Sequence, residues 1–82
     1  MLCSFYAESK EGVALALDIE MPFVPAKGMD ISIPAIGEYR TVEWVMWDHK
    51  RPNQVRIHLE QKQSMFPTYE MLAAGWKVVE QR

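Results

Sequence analysis

The chain has 82 residues, of which 49% are hydrophobic and 24% are charged, and its net charge is −2. This length predicts one domain, residues 1–82, and the composition is typical of a folded globular protein, which excludes intrinsic disorder. The slightly negative charge excludes a histone-like polybasic nucleic-acid binder.

Alternating apolar residues predict two strands at the beginning of the chain. Residues 2–8 are rich in β-forming residues, and residues 13–19 alternate between apolar and small or polar side chains. Gly12 lies in the short turn between these segments. We expect them to pair as a hairpin, with one apolar face formed by Val13, Leu15, Leu17 and Ile19.

A segment with two prolines interrupts this pattern. The prolines remove backbone donors, so residues 21–25 are predicted to form an extended loop. Residues 29–33 alternate again and predict a short strand that Pro34 ends. The connection that follows contains Gly37.

Residues 39–48 and 54–60 predict the main hairpin, because both segments are dense in β-branched and aromatic residues. A polar five-residue loop joins them, which is a common hairpin length. In the second arm the apolar and polar residues alternate without interruption. We expect Val55, Ile57 and Leu59 to face the core, and Arg56, His58 and Glu60 to face outward.

The first arm of this hairpin has two apolar faces. One face would carry Val42, Trp44 and Met46, and the other Tyr39, Thr41, Glu43, Val45 and Trp47. Because Glu43 belongs to the second set, we assign the Val42 set to the core. A one-residue slip or a β-bulge would exchange the two faces.

The C-terminal part of the chain changes to helical spacing. A helix is predicted to begin after Ser64, with Pro67 in its first turn, or one turn later with Thr68 as its cap. Gly75 fits the position just past a helix end, and residues 76–79 predict a last short strand. The apolar residues near helical spacing are Met65, Phe66, Tyr69, Met71 and Leu72.

Residues 25–60 contain a proline, a Lys-Gly turn, a short strand and two long strands. This pattern resembles the strand–turn–strand meander of small SH3-like or Sm-like β-barrels. Proteins of those families bind proline-rich peptides, RNA or copies of themselves, so the resemblance implies a fold and leaves the function open. The chain lacks the ALYDY-like segment of peptide-binding SH3 domains and an Sm signature. In size and character it is similar to orphan proteins carried by phages and integron gene cassettes.

These elements predict an α+β fold. We expect a small curved antiparallel β-sheet or an incomplete SH3-like barrel, with five or six strands and one short C-terminal helix. No connection is predicted to be long enough for a crossover between parallel strands.

The outward face of the main hairpin is the strongest candidate site. Our assignment of faces places Glu43, Val45 and Trp47 there, beside Arg56 and His58. Tryptophan beside arginine and histidine is typical of the anchors of a binding surface. We favour burial of this face by the helix or by a second copy of the chain over a site for an external partner.

The loop of the same hairpin begins the most basic stretch of the chain. Residues 49–62 contain Lys50, Arg51, Arg56 and Lys62 against one acidic residue, Glu60. Such a stretch is able to contact an anion or nucleic acid. A charged hairpin tip that discourages edge pairing explains it better, and nucleic acid is disfavoured as a partner.

No catalytic residue, metal site or cofactor is predicted. Cys3 is the single cysteine, which excludes an internal disulfide, and we interpret it as a small buried hydrophobe. His49 and His58 need not converge across the hairpin, so we interpret them as surface histidines. The chain contains no GxSxG, HExxH, CxxC or EF-hand motif.

Location and partners follow from the same features. The lack of disulfide staples favours the cytoplasm, the N-terminus lacks the basic region of a signal peptide, and the uncharged runs are too short for a membrane helix. We expect a non-catalytic interaction protein that self-associates, most simply as a dimer, through a hairpin face or a strand edge. The alternative is a binding module that uses residues 39–60 for an anionic ligand or nucleic acid.

Overall fold

A computed structural model describes residues 1–34, 39–60 and 66–79. Within these ranges the chain forms a sheet of six strands and one short helix, and the sheet is not closed into a barrel. The predicted α+β class is therefore confirmed. The predictions for Gly37, Lys62, Ser64 and Met65 lie outside the described residues. The elements are β1 (Leu2–Glu8), β2 (Ala14–Glu20), β3 (Asp30–Ile31), β4 (Arg40–Trp47), β5 (Gln54–Leu59), α1 (Thr68–Ala73) and β6 (Lys77–Val78).

The strands lie in the order β3-β4-β5-β1-β2-β6. Both predicted hairpins, β1–β2 and β4–β5, are confirmed as antiparallel pairs. The expectation that no parallel pair would form was wrong, because β1 pairs parallel with β5. Residues 21–29 carry the chain from β2 to β3 near the opposite edge of the sheet, so β4 and β5 return beside β1 without a crossover helix.

One face of the sheet carries the core. Val55, Ile57 and Leu59 are buried on it, as predicted, together with Cys3 and Phe5 of the central strand. Helix α1 packs on this same face and buries Met71. Trp76 follows the helix, is 2% exposed, and donates a hydrogen bond from its Nε1 to the carbonyl oxygen of Pro34 at 2.7 Å.

A β-bulge in β4 decides which of its side chains reach the core. Val42 pairs with Leu59 but Trp44 pairs with His58, so Glu43 is an extra residue between them. Val42 is buried as predicted, but the assignment of Trp44 to the core was wrong. Met46 was misassigned in the same way, and the bulge places Val45 and Trp47 on the core face instead.

Helix α1 begins one residue earlier than a Thr68 cap would require. Its N-cap is Pro67, and Thr68 is the first helical residue. The backbone N–H and the hydroxyl of Thr68 both donate to Glu11 Oε1 at 2.7 Å, which lowers the pKa of the Glu11 carboxyl. Gly75 follows the helix with φ of 104°, as predicted for a glycine past a helix end. Within the described ranges, no helix is long and apolar enough to cross a membrane.

Candidate functional site

The face of the sheet opposite the core is not covered by helix α1, which packs on the other side. We call it the open face, and it is formed by the outward side chains of β4, β5, β1 and β2. Two large apolar side chains on it are exposed to solvent, Trp44 by 41% and Met46 by 40%. Because these two exposed side chains are neighbours on β4 beside further aromatic residues of the sheet, this face is our candidate interaction surface.

An aromatic row crosses the middle of the open face. His58 stacks on Trp44 with ring centroids 4.0 Å apart and planes 4° from parallel, and on Tyr6 at 5.0 Å and 12°. The three residues are directly opposite one another on neighbouring strands. Since strands lie about 4.8 Å apart, the rings stack along the sheet and point their edges outward. Both faces of the His58 ring are covered, so this ring itself offers no free stacking surface.

The position of His58 in this row changes its acid–base chemistry. Burial of the ring lowers the pKa of His58, the nearby Arg56 lowers it further, and Glu43 opposes the shift. The ring is therefore held neutral between Trp44 and Tyr6. The folded protein binds a proton at His58 less readily than the unfolded chain does.

The free energy of unfolding should therefore decrease at acidic pH because of His58. Well above pH 6.5 the residue is neutral in both states, so its contribution is complete there. As the pH falls below this value the unfolded chain is protonated first, and stability is lost until the folded protein is protonated too. We expect urea unfolding at low protein concentration to show this loss between pH 7 and pH 5, and His58→Phe, which keeps the stack, to show less of it. His49→Gln removes the other histidine and is the matched control. An equal loss in His58→Phe and wild type would contradict the assignment.

A chain of hydrogen bonds lies beside the aromatic row, toward the hairpin loop. The hydroxyl of Ser4 is buried, donates to Asp18 Oδ1 and accepts from Gln54 Nε2. The three residues belong to β1, β2 and β5, so the chain ties the central strands together on the open face. The Ser4 hydroxyl is thus engaged in the structure of the sheet.

The loop end of the open face carries a basic depression of about 430 Å³, which we call the basic tip. Trp47 lies on the core side of β4, borders this depression from the loop end, is 59% exposed, and donates from Nε1 to the carbonyl oxygen of Pro52 at 3.1 Å. The carboxylate of Asp48 accepts the backbone N–H of Lys50 at 3.0 Å, which orders the loop. Positive charge predominates among the lining residues, which are Met46, Trp47, Asp48, His49, Arg51, Gln54 and Arg56.

The other end of the same face is acidic. A second depression, of about 650 Å³, extends from the aromatic row to the carboxylates of Glu8, Glu43 and Glu60, and we call it the acidic end. Glu60 also lies near the buried Arg40, where burial lowers the pKa of the guanidinium and the charge of Glu60 opposes that shift. Arg56 borders both depressions.

The structure brings some of the predicted site residues together. Arg56 and His58 lie on the open face as predicted, and Arg51 joins Arg56 at the basic tip. Val45 does not join them, because it faces the core opposite Ile57. Trp47 pairs with Val55 on the core side and reaches only the loop end, while Lys50 is exposed in the loop.

Sequence analysis missed Trp44, Met46 and Tyr6 as members of this surface. The only signal for the first two was Glu43, a charged residue inside an apolar run, which is unpaired in the β-bulge of this strand. Tyr6 had no comparable signal, since both faces of β1 are partly apolar.

A reactive thiol and a metal site would each need residues of particular chemistry. Cys3 is buried, and this burial raises the pKa of its thiol, so it is the small core residue that was predicted. Within 1–34, 39–60 and 66–79, no group of three or more histidine, cysteine, aspartate or glutamate side chains is arranged to hold a metal ion.

Comparison of the chain with protein-family models, with curated proteins and with solved structures finds no significant match.

Proposed function

We propose that this protein is a non-catalytic interaction protein that self-associates through its open face. The observation that carries the proposal is the exposure of Trp44 and Met46, side by side, on a sheet face that helix α1 leaves uncovered. Burying such side chains against another protein surface is favourable by about 25 cal/mol for each Å² of apolar area removed from water.

A second copy of the chain is the occupant that the surface favours. Both signs of charge lie on the open face, with Arg56 on β5 and carboxylates on β1 and β2, so the surface is able to complement itself. Four strands of about seven residues form a face of roughly 400 Å² in projection, which corresponds to a small interface and a weak dimer. We place the protein in the cytoplasm, where a buried free thiol such as Cys3 and the lack of disulfides are ordinary.

The test is the molar mass in solution, measured by light scattering from about 10 to 500 μM protein. The wild type should rise from 9.5 kDa toward twice that mass. Trp44→Lys should raise the dissociation constant at least roughly tenfold, because it places a charge in a desolvated contact. Met46→Lys repeats the test without touching the ring stack.

Tyr69→Lys is the matched control, because Tyr69 is 70% exposed on helix α1, on the other side of the molecule. It should dimerise like the wild type. Circular dichroism of each variant shows whether the fold is retained. A wild type that stays at 9.5 kDa throughout this range would refute the proposal.

A second candidate function is binding of an anionic group at the basic tip. The lining of that depression favours anion binding, because it contains two arginines, Arg51 and Arg56, and one carboxylate, Asp48. That carboxylate already accepts a backbone N–H. Titration with inorganic pyrophosphate at low salt should shift the amide resonances of residues 46–56, and Arg51→Ala should weaken the binding. Unchanged spectra up to millimolar pyrophosphate would exclude this function.

A further inference from the structure

The outer edge of β4 has no neighbouring strand over more than half of its length. β3 pairs with Arg40 and Thr41, and Val42 exchanges backbone hydrogen bonds with the turn before β3. In the part of the chain that the structure describes, no segment pairs with this edge over residues 43–47. We call residues 43–47 on this side of β4 the free edge.

The backbone groups of two residues point out of the sheet at the free edge. The N–H of Glu60 donates to a carbonyl oxygen of β4, and the β5 residues opposite Trp44 and Met46 lie an even number of positions before it. Since backbone groups alternate in direction along a strand, these β5 residues bond to Trp44 and Met46. Val45 and Trp47 therefore direct their N–H and C=O groups away from β5, toward solvent.

The side chains of the free edge do not protect it from pairing. Natural proteins protect sheet edges with short strands, lysine or proline. The strand at the opposite edge, β6, has two residues and contains Lys77. The free edge contains neither lysine nor proline, and it exposes Met46 on the open face by 40% and Trp47 on the core side by 59%. Such an edge accepts a further strand, which bonds the outward backbone groups and covers the apolar side chains.

We infer that two copies of the chain pair through their free edges, antiparallel, about a two-fold axis beside Met46. The contact uses a different surface from the open face and goes beyond the proposed function, because it joins two sheets into one continuous sheet. Val45 of each copy then lies opposite Trp47 of the other, so the outward N–H and C=O groups of both residues are bonded. An axis beside Val45 or beside Trp47 would pair only one of these two residues with its counterpart.

A second copy also supplies side chains that fit this register. On the core side, Trp47 lies beside Val45 of the other copy, which packs against the core of its own chain. On the open face, Met46 lies beside its own counterpart. Since Trp47 is 59% exposed, roughly 150 Å² of its surface is open to burial in the contact. With Met46 and the backbone, two copies bury on the order of 700 Å², which corresponds to a weak contact that forms at high concentration.

Both signs of charge meet at each end of this contact. Glu43 of one copy lies near Asp48, His49 and Lys50 of the other, so charge neither selects nor opposes the register. The contact should therefore depend little on salt.

Amide hydrogen exchange, resolved by residue in NMR spectra, tests the contact in the full chain. The amides of Val45 and Trp47 are open to water in the monomer and in a dimer formed through the open face. Raising the protein concentration from about 50 μM to about 1 mM should slow exchange of both amides at least roughly fivefold, because pairing bonds them. Val78 is the matched control, since Val79 donates to Ala14 and the N–H of Val78 therefore points away from β2 at the opposite edge. Its exchange should not change.

Substitutions of Trp47 separate the free edge from the open face. Trp47→Lys places a charge at the edge, and Trp47→Pro removes an outward N–H that takes no part in the β4–β5 pairing. Both should abolish the concentration-dependent slowing at Val45. Both should stop at two copies, whereas the wild type should exceed that mass at the higher concentration. Trp47→Phe keeps a large apolar side chain and the N–H, and it should behave like the wild type. Circular dichroism shows whether each variant is folded.

The outcomes separate this contact from the proposed open-face dimer. Unchanged exchange at Val45 and Trp47 in a sample whose molar mass has doubled would overturn the edge contact and leave the open-face dimer standing. Slowed exchange with a mass that never exceeds two copies, in the wild type and in Trp44→Lys alike, would support the edge contact and refute the open-face dimer. A wild type that is monomeric throughout would overturn both. If an added hexapeptide of alternating threonine and valine then slows the same two amides, the free edge accepts a strand of another protein instead.

Discussion

Trp76→Ala is expected to remove most of the free energy of unfolding. The side chain is 2% exposed and joins helix α1 and the 31–34 segment to the core. Truncating a buried tryptophan costs about 3–5 kcal/mol, and the lost Nε1 donor leaves the carbonyl of Pro34 without this hydrogen bond. A domain of this size has a stability of the same order, so the variant should be largely unfolded in water.

Urea unfolding followed by far-ultraviolet circular dichroism measures this effect. Trp76→Phe keeps most of the apolar contact and loses only the donor, so it should cost about 1–2 kcal/mol. Trp47→Ala removes an exposed indole and should cost less than about 1 kcal/mol. An unfolding midpoint of Trp76→Ala equal to that of wild type would show that packing of Trp76 in the core does not stabilise the fold.

Two single-residue deletions in β4, of Glu43 and of Val45, should differ sharply in their effect on stability. Without Glu43, regular alternation along the strand places Val42, Val45 and Trp47 on the core face and Trp44 and Met46 on the open face, as they are in the bulged strand. The deletion should therefore preserve the fold and change its stability by no more than about 1 kcal/mol.

Deletion of Val45 should be severely destabilising. Either Met46 or Trp44 must then take the site opposite Ile57, and both are larger than valine in a packed core, which costs about 1–3 kcal/mol for overpacking alone. Loss of the Val45 contacts adds to this cost. Urea unfolding of the two deletion variants side by side measures the difference. Equal stabilities would mean that the strand shifts its register without penalty and that the bulge does not assign the faces.

The hairpin arms were predictable because local alternation determines them. Val55, Ile57 and Leu59 lie on one face of β5 in any sheet that this strand enters, since the side-chain period of a strand is two. The same holds for Leu15, Leu17 and Ile19 on β2. Gly75 was predictable for a different local reason, namely that a φ of 104° is readily adopted only by glycine.

The composition of the candidate surface was not predictable from local alternation. Arg56 and His58 were placed correctly, but their neighbours on β4 depend on whether Glu43 occupies a bulge. Whether the bulge forms depends on which β4 side chain packs in the core opposite Ile57. Val45 fits at that site and Trp44 does not. Without the bulge, Trp44 would face the core and Trp47 would face the open side of the sheet.

By itself, the sequence determined which segments become strands, which face of each regular strand is apolar, and where the helix ends, because these depend on neighbours along the chain. The tertiary structure decided the parallel β1–β5 pair, the side of the sheet that α1 covers, and the alignment of Tyr6, His58 and Trp44 in one row. The β1–β5 pair and the Tyr6–His58 stack join residues 52 positions apart in the chain, and the free energy of these features comes from burial that exists only when the whole sheet is assembled.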